Sequence, residues 1–199
     1  MTMEPLPDCP KVSIVMPTFR RPHAIFNTVG TIQSQLYPHW ELIVVENEEA
    51  GYRFDDPRIQ VHVHAGRASA SLARNRGLGH ARGELVCFFD DDDDMFPEYL
   101  EEFVAAFRRH PRLRLARCGM VMPDCHVNFS YATPECCLRR EFATPTWDGQ
   151  RACEDQRYFG AIVQAHGWTE ESGDIVVIAK PLCRARTDPR GGRRDGGGC

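Results

Sequence analysis

Short apolar runs alternate with helical patterns along the first half of the chain. Three of the runs are apolar on both faces, as buried strands are, and one alternates between apolar and polar positions, as an edge strand does. The predicted strands are 12–16, which stops at Pro17, then 40–46, the alternating run 59–65, and 85–89. Strands that alternate with helices predict βαβ units, so we expect an α/β fold with a mostly parallel central sheet flanked by helices.

Helical patterns fill the segments between these strands. After the first run, apolar residues recur at helical spacing at Ile25, Val29, Ile32 and Leu36, and the composition of 69–81 favours a second helix. The clearest helix has Pro97 in its predicted first turn and closes at Pro111. It carries glutamates near its start, arginines near its end, and an apolar stripe formed by Leu100, Phe103, Val104 and Phe107.

The pattern loosens after Pro111. We predict a strand over about 113–122, a loop-rich stretch to Trp147, a helix over about 153–166 and a strand over 174–179. The tail from Arg184 is rich in glycine and arginine and is predicted to be disordered. The chain then forms one domain with an N-terminal extension 1–11, a first half 12–110, a second half 111–183 and a tail 184–199.

Composition narrows the possible partners. Apolar residues make up 42% and charged residues 26%, and the net charge of −4 gives no reason to expect nucleic acid or another polyanion. No apolar run approaches the ~18 residues that span a bilayer. The N-terminus lacks the basic and apolar regions of a signal peptide. We therefore expect a cytoplasmic protein without a transmembrane segment.

The nine cysteines include no CxxC pair. Disulfide frameworks are typical of small secreted chains, so reduced thiols are the simpler interpretation. A zinc site is an alternative, although its ligands would lack the usual spacing. They would have to come from Cys118, Cys125, His126, Cys136 and Cys137.

A run of five aspartates, residues 90–94, directly follows the apolar strand 85–89. Open α/β sheets bind ligands at the carboxyl ends of their strands. Two carboxylates ~5 Å apart repel by roughly 3 kcal/mol at an effective dielectric of 20, so the run needs a positive partner. A Mn²⁺ or Mg²⁺ ion held by one or two carboxylates and by substrate phosphates fits this need. The alternative is a solvated acidic turn, and Asp94 in particular fits a cap for the helix that follows.

Polar and basic residues follow the other predicted strands at the same edge. The turn MPTFRR could contact a nucleobase, a ribose and a diphosphate through Thr18, Phe19 and the guanidinium groups. Glu46 ends the second strand, where it could accept a base N–H or remain a surface acid. Arg74 and Arg76 could face phosphate or solvent. No GxGxxG pattern and no Walker loop occur, which disfavours dinucleotide-binding and P-loop folds.

An acidic pair, Glu154 and Asp155, opens the helix predicted in the second half. Asp155 shares a helical face with Phe159 and Ile162 and should point toward the interior. A helix dipole keeps a carboxylate in the first turn ionised, which suits a general base. An acid that merely caps the helix favours the same position, and the local pattern leaves both interpretations open.

Taken in order, these segments resemble the family 2 inverting glycosyltransferases of GT-A fold. The family patterns are P-T-[YF], G-x-S-x-A-R-N-x-G, A-x-G-E followed by an apolar strand and D-x-D-D, and later an E-D dipeptide. The matching residues are Pro17, Thr18 and Phe19; Gly66, Ser69 (displaced by one), Ala73, Arg74, Asn75 and Gly77; Ala81, Gly83, Glu84, Asp90, Asp92 and Asp93; and Glu154 and Asp155. The resemblance covers about 12–180 and is most specific over 12–107.

The resemblance implies a Rossmann-like GT-A domain in which 12–110 binds a nucleotide-sugar and 111–183 forms the acceptor side. It implies that Asp90 and Asp91 approach the ribose, that Asp92 binds Mn²⁺ or Mg²⁺, and that Asp155 is the base for the acceptor. Thr18, Phe19, Glu46 and Arg74 would line the nucleotide pocket, with Pro17 and Arg21 in the same donor-binding turn. Trp147 and Glu154 would lie on the acceptor side.

The implied reaction moves a sugar from a nucleoside diphosphate, with a UDP-sugar as the favoured donor, to an unspecified acceptor hydroxyl with inversion. Three features depart from the family. Glu46 and Asn47 replace the usual aspartate pair, a histidine often found near the end of the domain is missing from KPLCRARTD, and the acceptor half is short. Two alternatives are a catalytically silent nucleotide- or carbohydrate-binding module of the same fold and a sugar nucleotidyltransferase. The latter is disfavoured because no Gly-rich, basic loop opens the chain.

Overall fold

The computed structural model describes residues 3, 5–48, 50–64, 69–144, 146–148 and 153–186. Within these residues the strands are β1 (Val12–Thr18), β2 (Trp40–Asn47), β3 (Ile59–His64), β4 (Leu85–Phe88), β5 (Asp93–Met95), β6 (Leu115–Val121), β7 (Val127–Asn128), β8 (Cys136–Arg139) and β9 (Ile175–Ala185). The α-helices are α1 (Pro22–Gln33), α2 (Ala70–His80), α3 (Tyr99–Arg109) and α4 (Glu154–His166). Single 3₁₀ turns cover Thr133–Glu135 and Arg140–Phe142.

The described strands form one mixed sheet in the order β3-β2-β1-β4-β8-β6-β9-β5, with β7 attached to β6. The first four strands of the chain are parallel to one another. β8 is antiparallel to both β4 and β6, β9 is parallel to β6, and β5 is antiparallel to β9. More residue pairs in this sheet are parallel than antiparallel, so the predicted mostly parallel α/β fold is confirmed.

Two apolar layers cover the faces of the sheet because β1, β2 and β4 are buried on both sides. One layer takes the apolar faces of α1 and α3, including Ile25 and Phe103, and the other takes α2 and α4, including Ala73 and Phe159. α2 lies very close to the sheet at Gly77, where a Cβ atom would be 2.4 Å from a methyl carbon of Val15. The helices that carry the candidate site are therefore fixed against the central strands.

Several element predictions need correction. Leu36 is exposed and lies beyond α1, which ends at Gln33. Pro97 precedes α3, whose N-cap residue is Glu98. The loop-rich stretch contains β8, a central strand that is buried but only four residues long. As a result, β4 is parallel to one neighbour and antiparallel to the other.

The predicted disordered tail begins too early. β9 continues to Ala185, and Arg184 and Arg186 make ordered side-chain contacts, so 184–186 belong to the fold. Residues 187–199 lie outside the described residues. None of the helices in the described part of the chain is both long and apolar enough to cross a bilayer.

Most cysteines are free thiols, as predicted. Five of these thiols are buried, namely Cys87, Cys118, Cys136, Cys137 and Cys183, and Cys9 and Cys125 are exposed. Cys153 departs from the prediction because it is disulfide-bonded.

Candidate active site

Central parallel strands bring polar residues to one edge of the sheet. Thr18 lies opposite Glu46 in the pairing of β1 with β2. The pairing of β1 with β4 brings the chain after Phe88 to the same edge. Thr18 donates a hydrogen bond from Oγ1 to Oδ2 of Asp91 at 2.7 Å. The turn after the first strand and the aspartate run thus meet, as the parallel arrangement predicts.

The first three aspartates of the run differ in exposure. Asp90 and Asp92 keep 28% and 17% of their side-chain surface accessible, whereas Asp91 is buried. Arg21 Nη1 donates to Asp92 Oδ2 at 2.6 Å and to Asp91 Oδ1 at 3.1 Å. Burial raises the pKa of Asp91 to about 6, against the opposing effects of Thr18 and Arg21. Asp91 therefore stabilises the loop through its contacts with Thr18 and Arg21. Asp90 and Asp92 expose carboxylate surface that a ligand could contact.

Asp93 and Asp94 belong to β5 and have other partners. Asp93 is fully buried, and the Asp94 carboxylate lies 3.3 Å from Nε of Arg186. The N-cap of α3 is Glu98, and no side chain makes a capping hydrogen bond there. The suggestion that Asp94 caps this helix is therefore wrong, because pairing of β5 with β9 takes this residue into the sheet.

Arg74 is the buried centre of a charged network that joins the two halves of the chain. Only 5% of its side chain is exposed, and it donates from Nη2 to Asp90 at 2.7 Å and from Nη1 to Glu154. Its guanidinium carbon lies 4.6 Å from the ring centroid of Trp147. Burial alone would lower the pKa of Arg74, but the carboxylates of Asp90 and Glu154 raise it above its usual value. Arg74 is thus occupied by protein carboxylates rather than open to a phosphate.

Asp155 lies in the first turn of α4, where the charges of Asp90 and Arg74 act on its carboxylate. Its Oδ1 accepts a hydrogen bond from the backbone N–H of Gln156 at 3.0 Å. Burial raises the pKa of Asp155, the charge of Asp90 raises it further, and Arg74 opposes both effects. Asp155 directly follows Glu154, which Arg74 links to Asp90, so the carboxylate predicted as a base lies on the helical turn that adjoins the aspartate run. A raised pKa also makes this carboxylate a stronger proton acceptor once ionised.

Glu154 and Trp147 are part of the same assembly. Glu154 accepts hydrogen bonds from Ser71 and Arg74, so it ties the start of α4 to α2. The Trp147 ring stacks on Tyr158 with centroids 4.1 Å apart, and its backbone exchanges hydrogen bonds with the side chain of Asn75. Both residues contact the guanidinium of Arg74, which in turn contacts Asp90.

Glu46 is at the predicted edge, but its carboxylate is used within the protein. It is buried and accepts the backbone N–H groups of Tyr52 at 2.9 Å and of Ala50 at 3.0 Å. The suggested contact of Glu46 with a nucleobase is not available in this arrangement. Pro17 is also buried, within β1, whereas Phe19 is partly exposed and offers ring surface at the edge.

The geometry separates the two metal hypotheses. In the part of the chain that the structure describes, no group of three or more His, Cys, Asp or Glu side chains is placed to hold a metal by itself. The zinc ligand set is therefore not assembled, since Cys118 is buried while Cys125 is exposed. Mn²⁺ and Mg²⁺ need only one or two protein carboxylates when phosphates and water complete the shell. Asp92, a partly exposed oxygen ligand, fits such an ion.

Some residues that shape the site were not predicted. Thr133 donates to Asp90 Oδ2 at 3.0 Å, and Thr28 Oγ1 lies 2.9 and 2.8 Å from the carbonyl oxygens of Asp91 and Asp93. Thr28 carried one signal, a polar residue beside Val29 on the buried side of a helix. Thr133 lies in a loop-rich stretch without any periodic pattern, and nothing in the sequence indicates its contact.

The sequence of this chain matches a known protein family. The sequence profile described as glycosyl transferase family 2 matches residues 13–117. The putative teichuronic acid biosynthesis glycosyltransferase TuaG of Bacillus subtilis is 33% identical over 47% of this chain and 40% of its own length. The Escherichia coli enzyme WfgD, a UDP-Glc:alpha-D-GlcNAc-diphosphoundecaprenol beta-1,3-glucosyltransferase, is 31% identical over 45% of this chain and 38% of its own. The chain thus spans about two fifths of the length of these curated relatives.

Solved structures share the fold. S. aureus TarS in complex with UDP-GlcNAc superposes with a TM-score of 0.72 at 19% identity, covering 89% of this chain and 59% of TarS. The mannosyltransferase PcManGT from Pyrobaculum calidifontis, in complex with GDP-Man and Mn²⁺, gives a TM-score of 0.71 at 18% identity, covering 94% of this chain and 60% of its own. At these identities the likeness confirms the Rossmann-like GT-A fold.

Proposed function

Because the chain belongs to glycosyl transferase family 2, we propose that it moves a sugar from a nucleoside-diphosphate donor to an acceptor hydroxyl with inversion at the anomeric carbon. One observation carries this proposal: the buried Arg74 contacts Asp90 in the first half of the chain, at 2.7 Å, and Glu154 in the second half, so the helical turn that carries Asp155 lies beside the aspartate run. A proton acceptor beside a set of oxygen ligands is the arrangement that sugar transfer requires.

Roles for the donor-side residues follow from their exposure. Asp90 keeps accessible carboxylate surface and would accept hydrogen bonds from ribose hydroxyls, while Phe19 would stack on the base. Asp92 would hold a Mn²⁺ or Mg²⁺ ion, whose charge offsets that of the departing diphosphate. Arg21 pairs with Asp92 in the free protein, and its guanidinium would be available to phosphate oxygens once Asp92 takes the ion.

Asp155 would remove the proton from the acceptor hydroxyl as the sugar transfers. Arg74 and Glu154 would act indirectly, since their mutual contact fixes the start of α4 relative to Asp90. We favour a UDP-sugar as donor, supported by the UDP-linked names of WfgD and of the TarS complex. Because Glu46 is buried, discrimination between uridine and guanosine would depend on neighbouring groups.

Calorimetric titration with UDP and GDP, in Mn²⁺ and in EDTA, tests the proposal. We expect UDP to bind at least tenfold more tightly in Mn²⁺, because bare aspartates repel a diphosphate. Asp92→Asn should remove this difference, while the exposed control Asp124→Asn should retain it. Equal affinity for UDP in Mn²⁺ and EDTA would contradict the metal role. Tight binding without turnover of any donor would instead support a silent binding module.

A further inference from the structure

Arg186, the residue after β9, contacts the backbone of the aspartate run. Its Nε donates to the carbonyl oxygen of Asp92 at 3.1 Å and lies 3.3 Å from Asp94 Oδ1. Its Nη2 donates to the carbonyl oxygen of Ala24 at 3.2 Å and to Thr28 Oγ1 at 2.5 Å. One guanidinium therefore connects the end of the last strand, the first helix and the acidic loop.

These contacts complete a set of bonds to three consecutive carbonyl groups. The single hydroxyl proton of Thr28 is shared between the carbonyl oxygens of Asp91 and Asp93, Arg186 Nε donates to the carbonyl of Asp92 between them, and Arg186 Nη2 lies 3.5 Å from the carbonyl oxygen of Asp93. The same segment is held further along by the pairing of Asp93 with Ala185. Carbonyl groups in a buried loop need donors, and here a threonine and an arginine supply them in place of sheet partners.

The direction of a carbonyl group fixes the orientation of its peptide plane and limits where the side chain of that residue can point. Arg21 contacts the carboxylates of Asp91 and Asp92, whereas Arg186 contacts the backbone carbonyl of Asp92 and the carboxylate of Asp94. The contacts of Arg186 with Asp92, Ala24 and Thr28 need several N–H groups in one plane, which arginine has and lysine lacks.

We propose that Arg186 is a positioning residue that clamps the backbone of the aspartate run and fixes the direction in which Asp92 presents its carboxylate. The significance for metal binding rests on the proposed function. The clamp itself concerns only contacts within this chain, and it makes the C-terminal end of β9 part of the donor site.

Two measurements on Arg186→Gln test this proposal. Hydrogen–deuterium exchange of the peptide covering 90–95 reports on the loop without any ligand, and we expect exchange to accelerate about tenfold when the charged donor is lost. Titration of Mn²⁺ in the presence of UDP reports on Asp92, and we expect the half-saturating Mn²⁺ concentration to rise about tenfold. The affinity for UDP in EDTA should stay unchanged, whereas a general loss of structure would lower it.

Matched variants make both outcomes decisive. Arg184→Gln removes a neighbouring arginine that lies over Phe96 and should leave loop exchange and the Mn²⁺ requirement unchanged. Arg186→Lys keeps the positive charge but lacks the planar guanidinium. Its loop exchange and its Mn²⁺ requirement should therefore match those of Arg186→Gln. Exchange in Arg186→Gln equal to that in Arg184→Gln would overturn the clamp, as would full recovery by Arg186→Lys. If the wild-type chain fails to bind Mn²⁺ and UDP, the proposed function fails, while the exchange comparison still decides the clamp.

Discussion

Asp155→Asn should separate catalytic rate from stability. The substitution keeps the shape of the side chain and its ability to accept the N–H of Gln156, but it removes the negative charge. Burial raises the pKa of Asp155, so ionisation of this carboxylate costs free energy in the folded protein. Asparagine removes that cost and loses a favourable interaction with the helix dipole of about 0.3–1 kcal/mol. We therefore expect the free energy of unfolding to change by no more than about 1 kcal/mol.

The catalytic rate, in contrast, should fall strongly in Asp155→Asn. A positioned proton acceptor contributes about 10²–10⁴ to rate, or about 3–5 kcal/mol of transition-state free energy. The neighbouring variant Glu154→Gln provides the contrast, because it leaves the buried Arg74 with a neutral partner in place of a carboxylate. Loss of that charged contact should reduce stability by about 1.5–3 kcal/mol.

The assay measures release of free sugar from a UDP-sugar in Mn²⁺, with water as the acceptor, beside urea denaturation of both variants. The wild-type rate should rise with pH through the raised pKa of Asp155, and the residual rate of Asp155→Asn should not. Wild-type release by Asp155→Asn would refute the role as base and reduce this residue to a helix cap. A large loss of stability in the same variant would refute the inference drawn from its burial.

Three further outcomes are expected. Burial raises the pKa of Glu135 above the ordinary value of 4.5, so its ionisation costs stability as pH rises above that value, and Glu135→Gln should gain stability relative to wild type over the same rise in pH, as measured by urea denaturation. Gly77→Ala should destabilise by about 1–3 kcal/mol because its Cβ would contact the sheet at 2.4 Å, whereas Gly79→Ala, with nothing within 4 Å, should stabilise α2 by about 0.5–1 kcal/mol. A chain ending at Ala185 should melt several degrees below one ending at Arg186, since about 1–3 kcal/mol of hydrogen bonding is removed.

The amphipathic parts of the fold could be predicted from the sequence. Leu100, Phe103 and Phe107 recur at helical spacing and are all buried in α3. The strand before the aspartate run is apolar on both faces because it is central, and its end falls at the sheet edge as expected. Both predictions depend on patterns that are local in sequence.

Features that depend on distant partners could not be predicted. β8 is only four residues long, too short to show a period, and its place between β4 and β6 is set by the rest of the sheet. Arg186 stands in a segment whose composition indicates disorder, and its contacts lie more than ninety positions away in sequence. The burial of Arg74 follows from its contacts with Asp90 and Glu154, which its neighbours in sequence do not reveal.

Anomalous diffraction at the manganese edge, from crystals grown with UDP and Mn²⁺, would locate the metal ion that we propose Asp92 binds. The proposed function predicts one strong peak within coordination distance of the Asp92 carboxylate, with the diphosphate on its far side and Asp155 facing the space where the sugar would lie. A peak elsewhere on the molecule, or ordered UDP at this edge without manganese at Asp92, would contradict it.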